Sequence, residues 1–377
     1  MKSCLLFLAL MLQLLCAWAG QQSLATINDA SGDDKGAGSL VYPQRADFQT
    51  GDLDLLHLQI NRDEEGFWLE AKFKNPVRDP ASNTYMPGPE PLSNFARKGF
   101  YQFNLDIYVD TDRIPGSGNT FTLPGRQIRI NSNFAWERAV ILTPRPELMR
   151  QQLLGALTEQ FPQRTSDEIA ASIDQSVYFP TRIRVRDKTV SFFVPGSFFS
   201  GSDGTNWGVT AFVTGALTTI PADFSFISSN KKPLDSLQLG VMQPAPGHQK
   251  NTFGYSGIRP SPVVDILGLS LEQQAQQLAN NEISGVSWGD NANNVAAASA
   301  AVARSSTLTS TVIPLGNLLQ PRSQETGKLP QENPATASPS GKASIARRLQ
   351  TLQQLFDQKL INETEFKQQK QRILEEL

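Results

Sequence analysis

The stretch YQFNLDIYVD, residues 101–110, decides the fold. Tyr101, Phe103, Leu105, Ile107 and Val109 fall on one side of an extended chain, and Gln102, Asn104, Asp106, Tyr108 and Asp110 fall on the other. Successive side chains of a strand point to opposite faces, so the alternation reads as a half-buried β-strand, apolar face on a core and polar face in solvent. The same period of two recurs in LLHLQI (55–60), FWLEAKFK (67–74), RQIRI (126–130), RIRVR (182–186), TVSFFVP (189–195) and WGVTAFVTG (207–215). Gly, Pro, Asn and Asp bound these runs, and no helices alternate with them. The pattern predicts a mainly β chain folded as an antiparallel β-sandwich.

One stretch interrupts the rhythm. Residues 146–175 read as a helical insertion, with Leu148, Leu153, Leu154 and Leu157 on one stripe and Thr165 and Glu168 at capping-box spacing. Past residue 290 the chain turns small and polar, then rich in Pro, Ser, Thr and Gln without aromatics. Residues 290–341 therefore read as a disordered linker with too little apolar surface to offset its ordering entropy, a tether reaching on the order of 40 Å. Structure resumes in residues 342–377 as an α-helical hairpin. Leu352, Leu355 and Phe356 share a face of its first helix, Phe366 and Leu374 a face of its second, and Asn362 and Glu365 stand at N-cap and N3. So small a hairpin buries little alone, so those five apolar residues are expected to serve assembly, by self-association or by docking on a partner.

The first nineteen residues carry a basic start, an apolar run and a small-x-small site at residues 17–19, the pattern of a signal peptide cleaved near Ala19. A secreted or periplasmic chain follows, with its module at residues 20–289. The two cysteines, Cys4 and Cys16, both lie in the leader, so disulfides are not expected to stabilise the fold. No later apolar run is long enough to span a membrane. With 34 Lys and Arg against 36 Asp and Glu, the charge balance gives no nucleic-acid footprint.

Asp29, Ser31, Asp33 and Asp34 crowd hard oxygen ligands into a run punctuated by Gly32, Gly36 and Gly38. Calcium is the ion such a set suits, although an EF-hand is rejected because Asp34 stands where its glycine is required. Composition alone leaves open the alternative of a solvated terminus. Asp110 and Asp112 sit in a Gly-rich loop and serve a turn or the same kind of ion. With only two histidines, His57 and His248, a histidine triad or three-histidine zinc site has no material, and no catalytic residues are assigned. For a sugar, the candidates are exposed aromatic faces: Trp68 on the polar side of its strand, then Tyr85 and Tyr108. Trp136 and Trp207 read as core.

The order of DASGDDKGAGSLVYP, FQTGDLDLLHLQI, the Tyr-Val-Asp-Thr-Asp strand end, Leu-Pro-Gly-Arg, NFAWERAVIL, Asn-Trp-Gly-Val and PVVDILG resembles the C-terminal binding module of glucodextranases over about residues 27–268. The resemblance implies a sandwich of the DOMON and carbohydrate-binding kind. It implies a non-catalytic module for carbohydrate or cell-envelope polymer, and it favours a metal-held loop at Asp29, Asp33 and Asp34. The tail resembles the short SHOCT domain, with Lys359 where glycine is usual; this implies, as the alternative, an envelope scaffold acting through the tail.

Overall fold

The computed structural model describes residues 21–83, 91–94, 96–217, 234, 237–288, 315–319, 349, 352–354, 356–357 and 361–374. The leader at 1–19, Tyr85 and Leu355 lie outside the described residues. In chain order the strands are β1 (Gln22–Asn28), β2 (Leu55–Arg62), β3 (Gly66–Phe73), β4 (Phe103–Asp110), β5 (Arg129–Ile130), β6 (Arg138–Leu142), β7 (Val177–Tyr178), β8 (Ile183–Arg186), β9 (Thr189–Pro195), β10 (Gly208–Gly215), β11 (Ala245–Pro246), β12 (Gly254–Tyr255), β13 (Val263–Ile266), β14 (Glu282–Ile283) and β15 (Val286–Ser287). The helices are α1 (Pro146–Gln160), α2 (Ser166–Ser176), α3 (Leu271–Ala279), α4 (Leu315–Leu319) and α5 (Glu363–Leu374).

Two sheets face each other. The first runs β1-β2-β3-β9-β8 and is antiparallel throughout; the second runs β13-β10-β4-β6-β7, with β15 also paired to β10. Only the short β6–β7 pairing in the second sheet is parallel. The inward halves of the alternating strands meet between the sheets, with Leu58, Ile60, Phe67, Leu69, Val190 and Phe192 opposing Leu105, Ile107, Val140, Val209 and Val213 in one apolar cluster. Each such side chain contributes on the order of 1.5–3 kcal/mol when fully buried, which is why the period of two read so clearly.

The half-buried reading of the 101–110 stretch is corrected: every residue of β4 is buried. The outer face of the second sheet is roofed by α1, α2, α3 and α4, whose Leu153, Leu157, Ile169, Ile173, Leu278 and Leu318 form a second cluster with Tyr108, Ile141 and Phe212. Here the insertion does its structural work, converting a solvated sheet face into a second core. Its start is fixed by the expected reciprocal cap, in which Thr165 Oγ accepts from Glu168 N at 3.2 Å and Glu168 Oε2 accepts from Thr165 N at 2.9 Å. Among the described residues no helix roofs the first sheet, and Trp68, Glu70 and Lys72 on its outer face are only partly buried.

Several expectations need revision. A strand, β1, precedes the acidic run; only Ile27 of its seven residues is buried, so its alternation carried little signal. The 126–130 strand shrinks to β5, because Gln127 takes φ +56° and Arg126 turns into the core. Within the linker, α4 buries Leu315, Leu318 and Leu319 in the second cluster, so this part is a docked segment; the flanking residues lie outside the described residues. In the tail, Leu352, Ile361 and Ile373 are buried together with Leu148 of α1, Phe356 packs on Phe366 at 4.7 Å, and Arg145 reaches Glu365 at 3.7 Å. Leu374 stays exposed. Among the described residues, no helix is long and apolar enough to cross a membrane.

Candidate functional site

The acidic run is folded inward. Asp33 and Asp34 are 1% and 0% exposed, and Asp54 and Asp265, which sequence reading had not joined to them, are each 0% exposed. Glycine makes the fold of this run possible: Gly36 has φ +59°, and a Cβ there would meet the Val263 carbonyl at 2.7 Å, so the loop lies directly on β13. Gly36 N donates to Val264 O at 2.7 Å, and the buried Gln274 of α3 donates to Asp33 O and Gly36 O at 2.6 and 3.0 Å.

The aspartates share a pattern. Asp29 Oδ1 accepts from Gly268 N at 2.9 Å, Asp54 Oδ2 from Gly32 N at 2.6 Å, and Asp265 Oδ2 from Leu55 N at 2.7 Å. Asp34 Oδ2 accepts from Gly51 N at 2.7 Å and from the Tyr42 hydroxyl. One oxygen of each is thus fixed by backbone, while the second oxygens, Asp29 Oδ2, Asp34 Oδ1, Asp54 Oδ1 and Asp265 Oδ1, are buried without a hydrogen-bond partner, as are both oxygens of Asp33. Carboxylate oxygens of Asp29, Asp33 and Asp265 lie within 4.8 Å of one another. Among the described residues the cation paired there is Lys74, whose half-exposed side chain brings Nζ to 3.0 Å from Asp54 Oδ2.

Burial and mutual repulsion push these groups toward the protonated form. Asp29 rises to about 7, first by desolvation and then by the charge of Asp33. Asp33 rises to about 6, again mainly by burial, with Asp54 and Asp34 adding to it. Asp265 is pushed well above the usual carboxylate range by burial and then by Asp29.

The second acidic group, Asp110, Asp112 and Glu137, also gathers its oxygens within 4.8 Å but is satisfied internally. Asp110 receives Arg113 N and Nη1, both at 2.7 Å; Asp112 receives Ile114 N and Ser117 Oγ; Glu137 receives Thr111 N at 2.8 Å. Burial still raises Glu137 to about 7. This is a loop closed by its own arginine, the turn reading of Asp110 and Asp112.

Of the sugar candidates, Tyr108 is corrected: it is 1% exposed, its hydroxyl donates to Asp106 at 3.0 Å, and it stacks under the insertion with Trp136 and Phe212. Trp68 does lie on the open face of the first sheet. Phe193 is its cross-strand neighbour at 5.4 Å, and Arg182 lies over both rings at 4.9 and 4.8 Å. Register places Asn61, Gln59, Glu70, Ser191 and Arg184 on the same face. Trp136 and Trp207 are core, as expected.

No curated protein matches the chain. Residues 24–287 match the family described as the C-terminal binding-module, SLH-like, of glucodextranase. That span takes in β2 through β15, both sheets, the roof helices α1–α3 and the aspartate loop, and the chain belongs to this family.

Proposed function

We propose that the chain is an exported, non-catalytic binding protein that holds a carbohydrate or cell-envelope polymer on the open face of the first sheet. The observation that carries this reading is the unroofed face itself. Trp68 and Phe193 form an aromatic platform with Arg182 fanned across it, and amide, hydroxyl, carboxylate and guanidinium groups surround the platform at strand spacing. Such a surface offers the half-buried Trp68 ring as apolar area for a sugar, with Phe193 tilted at 54° behind it, and polar groups to orient the sugar's hydroxyls. Membership in a binding-module family supports the non-catalytic reading. So does the burial of Asp106 on β4, a carboxylate that is 0% exposed and held by Arg126, out of reach of a substrate. The leader pattern at residues 1–19 supports export.

Titrating the mature protein with a panel of polysaccharides, in parallel with Trp68→Ala, tests the reading. Binding that falls about tenfold or more in the variant while its melting curve is kept supports it. A panel without binding, or binding indifferent to Trp68, removes it. The alternative of an envelope scaffold has one observation in its favour, the exposed Leu374 at the end of α5. Against it, the tail's Leu352 and Ile373 are already spent on Leu148 of the same chain. Oligomers that vanish when residues 342–377 are deleted, with silence across the polysaccharide panel, would favour the scaffold.

A further inference from the structure

We propose that Asp29, Asp33 and Asp265, backed by Asp54 and Asp34, hold one calcium-type divalent cation, and that this ion staples the loop after β1 to strand β13. The argument does not rest on acidity alone. Six carboxylate oxygens are buried there without a partner, and two of the ligands, Asp33 and Asp265, are 1% and 0% exposed. Buried polar atoms are normally satisfied, and a buried ionised carboxylate without a counter-ion is among the most costly groups a fold can carry. Backbone N–H groups fix one oxygen each on Asp29, Asp34, Asp54 and Asp265 and so orient the other. That is the arrangement of a preorganised ligand shell, in which the orienting bond and the coordinating atom belong to the same carboxylate.

The ligand set selects the class of ion. It is all oxygen, with no histidine or cysteine within it, which favours a hard cation over zinc or copper. Calcium–oxygen distances of about 2.3–2.6 Å put ligands on opposite sides of the ion about 4.6–5.2 Å apart, and the three carboxylate oxygens lie within 4.8 Å of each other. Magnesium dehydrates reluctantly and keeps several waters, bound through one or two carboxylates, which a shell of buried carboxylates does not favour. The ligands come from distant parts of the chain: Asp29 and Asp33 follow β1, Asp54 precedes β2 in the first sheet, and Asp265 lies in β13 of the second. One ion therefore ties the loop after β1 and the start of β2, in the first sheet, to β13 of the second. A shell assembled only by folding makes ion binding and folding one equilibrium.

The experiment is calorimetric titration of calcium into the full mature chain stripped with EGTA, with melting curves in calcium, in magnesium and in EGTA. Binding of one calcium per chain is expected, with a rise in melting temperature that magnesium at the same concentration does not match. Asp33→Asn, which disturbs no side-chain hydrogen bond because both oxygens lack partners, is expected to lose at least tenfold in calcium affinity while still folding. Asp112→Asn is expected to keep it. No binding heat and no melting shift in the wild type overturn the proposal. So do full affinity in Asp33→Asn and equal response to magnesium. Because Trp68→Ala should bind calcium as the wild type does, failure of the glycan reading and failure of this one are separable.

Discussion

Two of the sites that bury carboxylates in this module solve the problem in opposite ways. At Asp106 the chain supplies its own cation: Arg126, fully buried, donates Nε to Oδ2 at 2.7 Å and Nη2 to Oδ1 at 3.1 Å, and spends Nη1 on the carbonyls of Pro124 and Leu239. Tyr108 donates to the same carboxylate, so both Asp106 oxygens are engaged. At the aspartate loop the chain brings five carboxylates together, and among the described residues pairs them with the half-exposed Lys74 alone. The difference separates a closed ion pair from the proposed ligand shell by counting partners rather than charges. A closed site needs nothing from outside, and the open one is where the proposed cation would act.

Breaking the closed site should produce the largest effect. Arg126→Met leaves Asp106 buried without its cation and with only the Tyr108 hydroxyl donating to it, a loss of about 3–5 kcal/mol. In urea unfolding followed by tryptophan fluorescence, that loss should be equal in calcium and in EGTA. Dependence on calcium would show that the two sites are coupled and the contrast false. Chelating the wild type should come next. An ion present at a hundred times its dissociation constant adds about 2.7 kcal/mol to native stability, and EGTA should remove it, moving the urea midpoint without changing the slope.

A matched pair of tyrosines sharpens the comparison. Tyr108 donates to Asp106 and accepts from Leu123 N at 2.9 Å; Tyr42 donates to Asp34 and accepts from Leu53 N at 3.2 Å. Phenylalanine at either position orphans a buried N–H and should cost about 1–3 kcal/mol. Tyr108→Phe should cost the same with and without calcium. Tyr42→Phe should also weaken calcium binding, because Asp34 loses the hydroxyl that orients it. Equal calcium affinity in the two variants would remove Asp34 from the shell's support.

The same comparison shows what was legible in the sequence. Asp29, Asp33 and Asp34 announced themselves because they are neighbours in the chain. Asp54 and Asp265 did not, since only the docking of β13 beside the start of β2 brings Leu55 N to Asp265 Oδ2 across 210 residues. The inner face of β4 was readable from Leu105, Ile107 and Val109. Its outer face was misread as solvated because Asn104 and Asp106 are polar, and their partners, Thr214, Gly240 and Arg126, lie in other elements. Tyr108 was taken for a sugar platform through the same error. Helix α3 carried a local signal that went unread: Ser270 and Gln273 cap it reciprocally, at the spacing that had marked Thr165 and Glu168. Trp68 was read on the polar side of its strand, and register puts it on the outer face of the first sheet, which none of the described helices covers.

Lys74 offers the smallest and most discriminating test. Its ammonium reaches Asp54 Oδ2 from the surface, and that hydrogen bond first, then the charges of Asp54, Asp34 and Asp33, raise its pKa, so it is the chain's partial answer to the open site. If the aspartates form a lysine-paired structural cluster, Lys74→Met should destabilise the protein alike in calcium and in EGTA, by the 0–1 kcal/mol typical of a pair with one exposed partner. If they form a shell for an external cation, the lysine repels that cation. Lys74→Met should then tighten calcium binding by a few fold in calorimetry, while lowering stability only in EGTA. The sign of the change in calcium affinity, rather than its size, decides between the two, because removing a positive charge can raise affinity only where a second positive charge binds.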